Sequence, residues 1–418
     1  MRVLKVLART TVLGCAVSLL PASAFAGGWS TEGIADYDLL FAKEKFAFEG
    51  QSTYADRNVD FKNAKTTIGG NPADAVAKNP GKNGAGDIAP NVWLNSGSAK
   101  IGLTDNIDFF ARINQPYVIS EQPGFDWNGK FAIGETNAES LGIDAMLSYK
   151  HEVSSGKFLR VFGGVRSVTV DYEQLSNTLI VPPSTAPKYD STDVSLEVNT
   201  DREYGFRLGA AFEMPEIALR ALVAYESEID LNLDGDFGIS LPALLGGPIS
   251  AEASAEASLP QSIEAKVQSG VAPGWLVSLG VKWVDWSVLN KLAVNLTSAD
   301  VRAPSSVVRD LGYSDGWTVE AGVGHQLTEK LSVGSTLTWD KGIGGPYSDF
   351  YALGLGGSYD VTEKVKFSLG GRAIYKTAGE GSYNIARTTG TDVAEVNTDY
   401  EYDSSWNFAV SSKIRVAF

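Results

Sequence analysis

The last thirteen residues, Trp406-Asn-Phe-Ala-Val-Ser-Ser-Lys-Ile-Arg-Val-Ala-Phe418, decide the fold. Trp406, Phe408, Val410, Ile414, Val416 and Phe418 share one parity, interrupted only by Ser412. Asn407, Ala409, Ser411, Lys413, Arg415 and Ala417 share the other. A strand sends successive side chains to opposite faces, so one face is apolar and the other is small or cationic. A soluble protein can place such a strand at a sheet edge. A bacterial outer-membrane barrel uses it to close the wall, and the aromatic carboxy terminus matches the terminal signal typical of such barrels. The rest of the chain decides between these readings.

At the other terminus, Arg2, Lys5 and Arg9 precede an apolar run from about Thr11 to Leu20, followed by Ala24-Phe25-Ala26. A charged segment, a short apolar segment and an A-x-A site make a secretory signal peptide, 1–26, cut after Ala26. The run is too short to be an anchor that spans a bilayer. Cys15 follows Gly14 as in a lipidation site, but the apolar run continues past it. Cleavage removes the sole cysteine, together with three cations and no acid, taking the formal charge from −15 to −18. Thiol and disulfide chemistry are thereby excluded from the mature chain, and so strong an acidic balance argues against nucleic-acid binding. No later stretch is apolar enough for a membrane helix, yet a closed β-barrel spans a bilayer without one, because closure pairs every backbone donor and acceptor.

Short polar turns recur between alternating segments. They fall at Thr104–Asn106, Ser154–Lys157, Met214–Glu216, Ala272–Gly274, Leu327–Lys330 and Asp360–Lys364. Six hairpins supply twelve strands. The closing strand and a leading strand near Phe46–Tyr54 bring the expectation to fourteen, an even number as single-chain bacterial barrels have. The connections at the other end, roughly 55–95, 115–142, 174–203, 230–260, 288–315, 341–349 and 377–404, are long and polar or rich in Gly and Pro. The fold class is therefore all-β: a transmembrane antiparallel barrel of 46–418, preceded by a short segment, 27–45, read as a plug in the lumen. A large soluble β-sandwich is the competing architecture, and a disordered leader is the competing reading of 27–45.

The faces agree with this count. Trp275, Val277, Leu279, Val281 and Trp283 form one apolar row; Tyr351, Leu353, Leu355 and Tyr359 form another. Aromatic residues at both ends of such rows suit the two membrane interfaces. The opposite parity carries Lys100, Asp108, Arg112, Lys150, Arg207, Arg220, Glu226, Glu264, Lys266, Lys282, Glu320, Lys366, Arg372, Lys413 and Arg415. A cation facing lipid at the midplane costs roughly 2–4 kcal/mol, so these groups must face the lumen.

Two of the long connections are unusually apolar. One holds Leu179, Ile180 and Val181 before Pro182-Pro183; the other holds Ile239, Leu241, Leu244, Leu245 and Ile249. Loops are normally polar, and an exposed apolar patch marks a contact site. They offer either a groove for a hydrophobic ligand or a cap in which the loops pack on each other. Asp230-Leu-Asn-Leu-Asp234-Gly-Asp236 begins like a calcium loop, but its twelfth position is Leu241 rather than a bidentate Glu. The only histidines, His151 and His325, lie near turns without a nucleophile partner, so no enzymatic activity, cofactor or metal is expected.

Certain segments resemble the outer-membrane long-chain fatty acid transporter family, which is FadL-like and includes importers of aromatic hydrocarbons. They are Ala257-Ser-Leu-Pro260, Val271-Ala-Pro-Gly-Trp275 and Val284-Asp-Trp-Ser-Val-Leu289; Tyr204–Gly209 with Tyr225-Glu-Ser-Glu228; and Asn114-Gln-Pro-Tyr117. The family's usual Tyr-Arg-Ser-Glu has Glu226 in place of Arg here. The resemblance implies fourteen strands, an amino-terminal hatch, first capture by the third and fourth outer loops, and a kink in the third strand that opens a side exit to the bilayer. It places the protein in the outer membrane of a Gram-negative cell. The expected partners are a hydrophobic ligand, outer-membrane lipids and the barrel-assembly machinery, with a monomeric state. The ligand candidates are Leu179, Ile180, Val181, Leu241, Leu244, Leu245 and Ile249, with Arg207, Arg220 and Lys282 as inward partners for a carboxylate; for each of these three a structural lumenal salt bridge is the alternative. One departure stands out: the family's Asn-Pro-Ala hatch element is missing before the first strand, and Asn71-Pro72-Ala73 falls inside the first outer loop. An aqueous porin and an adhesive surface barrel are the competing functions.

Overall fold

The structure is a computed structural model that describes residues 28–34, 37–180 and 188–418. The expected signal peptide, 1–26, lies outside the described residues, as does Val181 with the two prolines that follow it.

Fourteen antiparallel strands close into a ring. In chain order they are β1 (Phe46–Asp56), β2 (Val92–Gly102), β3 (Ile107–Asn114), β4 (Glu135–Ser154), β5 (Lys157–Ile180), β6 (Glu203–Met214), β7 (Leu219–Glu226), β8 (Ser262–Ala272), β9 (Trp275–Val284), β10 (Gly316–Gln326), β11 (Leu331–Lys341), β12 (Phe350–Asp360), β13 (Val365–Lys376) and β14 (Ser405–Ala417). Each pairs with the next, and β1 pairs with β14 from Ala47↔Ala417 to Asp56↔Phe408. All six expected hairpins are present at one end of the ring. In one of them Gly156, at φ +71°, supplies the left-handed residue that the two-residue turn between β4 and β5 requires.

The alternation seen in the sequence becomes two faces. On the outside, Leu353, Leu355, Leu337 and Val410 are each at least half exposed despite being apolar, an arrangement that only a lipid surround makes favourable. Trp339, Tyr351, Tyr375 and Trp406 sit in one cross-strand row near the loop end. Trp275 with His325, and Tyr359 with Phe367, do so near the turn end. Eight residues separate Tyr351 from Tyr359, so at a strand tilt of about 40° the belt between the rows is about 20 Å tall. No described helix is long and apolar enough to cross a membrane.

The connections at the loop end are not irregular. Much of their length forms further strands: Asp190–Thr200, Ile229–Ile239, Ile249–Leu259, Lys291–Thr297, Ser306–Asp310, Gly379–Thr389, Asp392–Tyr402 and Asp60–Ile68. These pair in sequence onto the upper half of β5, whose 24 residues run well past the belt. The far edge returns through Ile88, whose amide donates to Val59 O and whose carbonyl accepts from Gln122 N. The result is a second ring of β structure, a crown, standing on the barrel. Its inward residues, among them Leu196, Leu233, Phe237, Ala253, Val294, Ile385 and Tyr400, form one continuous apolar cluster. The calcium-like stretch 230–236 is part of this crown: Leu231 and Leu233 point in, while Asp230, Asn232, Asp234 and Asp236 are exposed.

Candidate functional site

Three features converge on the axis of the barrel: an amino-terminal segment in the lumen, a break in the wall beside it, and the apolar crown above.

Residues 28–34 and 37–45 lie inside the ring. The segment leaves β1 at the turn end and climbs toward the crown. Near the bottom, Lys100 Nζ donates to the carbonyls of Ala42 and Glu44, each at 2.8 Å. Below these contacts the lumen opens into a vestibule of about 950 Å3. Leu39, Leu40 and Phe41 pack on the inward residues Phe110, Met146, Phe162 and Leu222. Arg220 pairs with Asp38 at 2.9 Å and stacks 3.8 Å from the Phe41 ring centre. Higher up, the Tyr37 ring lies 5.2 Å from that of Phe162 and under the Arg207 guanidinium. At the top, Trp29 meets Trp286 and Tyr313 at 5.8 and 5.6 Å between ring centres.

Glu32 is the electrostatic centre of this segment. Its carboxylate accepts from Arg112 Nη2 at 2.8 Å, Arg207 Nη2 at 2.9 Å and Asn114 Nδ2 at 2.8 Å, with Arg166 at 3.7 Å. Asp144 from β4 accepts from Arg112 at 2.9 Å and Arg207 at 2.6 Å; Glu226 from β7 accepts from Arg166 at 2.9 Å and Arg207 at 2.8 Å. Lys282 is buried and faces Glu264 across the β8–β9 ladder. Among the described residues of this group, Arg112, Arg166, Arg207, Lys282, Asp144, Glu226 and Glu264 come from the wall and Glu32 from the segment. These side chains are buried, so each charge depends on its partners.

The wall breaks beside Glu32. The β2–β3 ladder begins at Gly97↔Ile113, whereas β2 continues to Val92 along β1. Above Asn114 the chain turns inward: Thr31 N donates to Pro116 O at 3.0 Å, the Thr31 hydroxyl donates to Gln115 O, and Ser30 bridges Tyr117. Gly142, opposite Asn114 on β4, makes the bend possible, since a Cβ there would lie 2.8 Å from Asn114 Oδ1 and 3.0 Å from the Pro116 ring. The gap is lined by Leu94, Asn95, Ser96, Gln115, Thr31 and Glu32 and is spanned by Gln115, which accepts from Asn95 N at 3.1 Å. About 30 Å3 remains free, room for one water and no ligand.

At the crown tip the two apolar loops are neighbours. Leu179 lies opposite Ser191, and Ser240 N donates to Asp193 O, which brings Leu241 beside them. Leu179 is half-buried against the apolar cluster; Ile180, Leu241 and Leu245 are half-buried, Leu244 is exposed and Ile249 is buried. Arg302 holds this tip by donating to the carbonyls of Leu245 and Gly246. Its partner Asp300 is drawn down to about 2 by hydrogen bonds from Arg302. Of the inward candidates, Arg207 and Arg220 are paired to the amino-terminal segment rather than open to a solute. Sequence reasoning missed Glu32, Asp144, Arg166, Arg309 and Arg387. Asp144 and Arg166 were within its reach, since each sits on the inward parity of its strand.

A lipid-facing ring of even strand number, short turns at one end and an apolar crown at the other define an outer-membrane β-barrel. Residues 39–412 match the family described as outer membrane protein transport protein (OMPP1/FadL/TodX), and the chain belongs to that family. It is 22% identical over 395 residues to a long-chain fatty acid transport protein of Escherichia coli O6:H1, spanning 82% of this chain and 84% of that one. Its fold resembles the crystal structure of a Pseudomonas aeruginosa FadL homologue, with a TM-score of 0.73, 16% identity and coverage of 91% and 92% of the two chains. It also resembles the P. putida toluene transporter TodX, with a TM-score of 0.60, 12% identity and coverage of 94% and 96%.

Proposed function

We propose that this protein carries hydrophobic small molecules, long-chain fatty acids or similar compounds, passively across the outer membrane and releases them sideways into the bilayer. One observation supports the reading: the β2–β3 ladder stops at Gly97↔Ile113 while β2 continues to Val92, leaving a break in the wall beside the amino-terminal segment. A polar solute gains nothing from a side gap that faces lipid. A hydrophobic one gains about 0.8 kcal/mol per methylene moved from water into apolar surroundings, first at Leu179, Ile180, Leu241, Leu244, Leu245 and Ile249, then in the crown, then in the membrane. Residues 27–45 act as the plug and 1–26 as the cleaved signal. The protein works as a monomer, and we assign it no catalytic step.

The test is uptake of labelled oleate and labelled toluene by a host lacking its own transporter of this family, with and without this protein. Protein-dependent entry of either solute supports the reading. A stable, large conductance of the wild-type protein in planar bilayers, with no gain in uptake, overturns it in favour of an aqueous porin.

A further inference from the structure

Above β3 the chain carries one residue more than β4 beside it. Asn114 lies opposite Gly142 and Val118 opposite Glu139, so 115–117 on one side face only 140 and 141 on the other. The surplus is absorbed at Tyr117, whose N donates to the Ser140 hydroxyl at 2.8 Å and whose carbonyl accepts from it at 2.7 Å. A surplus residue bends a strand and disrupts its ladders. Here the ladder that suffers is the one with β2, which stops at Gly97 although β2 runs on to Val92. Pro116 lacks an N–H and weakens a straight ladder at one place, but it does not select a register.

Glu121 does. In the observed register it lies opposite the inward residue Thr136 and is only 4% exposed. Its Oε1 accepts from the Tyr347 hydroxyl and its Oε2 from the Tyr383 hydroxyl, each at 2.9 Å. Tyr347 belongs to the connection between β11 and β12, and Tyr383 to the crown strand Gly379–Thr389. Burial, with the Glu121 charge adding to it, pushes both phenols well above their usual value, so both remain donors. The same charge acts on Arg309, which stacks 5.1 Å from the Tyr383 ring centre, and on Arg57, which donates to Ser120 O at 3.2 Å. Without the surplus residue, the β3–β4 register would continue with Pro116 opposite Ser140 and Glu121 opposite Glu135. A slip of one residue moves every side chain to the other face. The carboxylate would then leave two buried hydroxyls without their acceptor. It would stand on the face of Leu141 and Ile143, directly across from Glu135, a like-charge pair. The straight register would also extend the β2 ladder, bringing Val118 opposite Val92.

We propose that Glu121 is a positioning residue for the side exit: its seat between Tyr347 and Tyr383 selects the register that carries the surplus residue, and so keeps the third strand off β2. This deepens the proposed function and, in treating the break as an exit, rests on it. The choice of register is independent of what is carried. Both tyrosines come from elements at the mouth, so the bend is set from the crown rather than by β3 alone.

The test is hydrogen exchange of the 92–96 backbone, read by mass spectrometry on the full protein in a nonionic detergent, beside uptake of labelled oleate and toluene by cells. Wild type is compared with E121V, E121Q and the double variant Y347F/Y383F, which removes both donors and almost no volume. In wild type the Asn95 amide points into the gap, where only the Gln115 side chain covers it. The expected result is that exchange over 92–96 slows about tenfold in E121V and in Y347F/Y383F, as β2 gains a ladder, and that uptake falls at least severalfold in both. E121Q, with one acceptor left, should fall between. A merely structural role predicts the opposite sign, because lost packing speeds exchange. Unchanged or faster exchange over 92–96 in both E121V and Y347F/Y383F overturns the inference, and the double variant decides alone if E121V does not fold. Slower exchange with undiminished uptake overturns the exit role. No protein-dependent uptake by wild type sinks the transport reading, while the exchange result still decides the register.

Discussion

Replacing Glu32 by Ala is the sharpest perturbation of the barrel. The change removes the carboxylate that accepts from Arg112, Arg207 and Asn114 at 2.8–2.9 Å. It leaves Arg112, Arg166 and Arg207 with one carboxylate fewer in a buried site. Breaking a buried pair by deleting one partner costs about 3–5 kcal/mol. Most of that cost falls on the docked state, because an undocked segment leaves room for water and counter-ions to reach the arginines. At about 1.4 kcal/mol per decade, the open-to-docked ratio should rise by roughly 10²–10⁴. Single-channel recording in planar bilayers reads this directly. Wild type should be quiet, E32A should show frequent open events, and E32Q, which retains shape and one acceptor, should fall between them. The openings of E32A should be anion-selective. If E32A is as quiet as wild type and its Trp29 remains equally protected from quenchers, Glu32 is not what holds the segment.

Three further outcomes follow from the geometry. G142V drives a side chain into Asn114 and the Pro116 ring and should displace the inward bend of the third strand; oleate and toluene uptake should change at least severalfold while the folded barrel keeps its heat-modifiable migration on gels. V410R puts a cation on a lipid-facing residue that is 53% exposed, and should cost about 2–4 kcal/mol in urea titrations of vesicle-folded protein; S411A, which breaks only the 2.6 Å Thr53–Ser411 hydroxyl bond, should cost about 1 kcal/mol. Asp300, held at about 2 against its usual 3.8, contributes to the tip contact above its unfolded value and loses that contribution only as pH falls through about 2. Protease nicking of 239–249 should therefore be unchanged between pH 4 and 8, whereas D300N should increase it throughout that range.

The barrel was legible because lipid imposes one rule on every strand. Trp275 to Trp283 and Tyr351 to Tyr359 had to alternate, and the six turns had to be short. The crown obeys the same period of two, and Ile229–Ile239 and Ile249–Leu259 display it openly. It stayed hidden because outward Asp, Glu and Ser look like loop composition when no hydrophobic belt separates them, and because Ala251, Ala253 and Ala255 are weak markers of an inward face. The inward bend at Asn114–Pro116 depends on a contact with Gly142 some thirty residues on, which no local pattern reports. Arg387 was invisible for a different reason: it reaches the Ser176 hydroxyl on a strand 211 residues away in sequence.

The amino-terminal segment is tied to the wall at Phe46 and finishes, at its described end, among Trp29, Trp286 and Tyr313. On the proposed plug reading, detachment runs from the top downward and the tie at Phe46 stays in place. Folded back, the peptide has somewhere to go, since the vestibule of about 950 Å3 lies directly beneath it. Re-insertion is then intramolecular, at an effective concentration in the millimolar range for so short a tether. On the proposed plug reading, a solute has only to win a local competition for a moment, and re-insertion need not wait for diffusion from the periplasm.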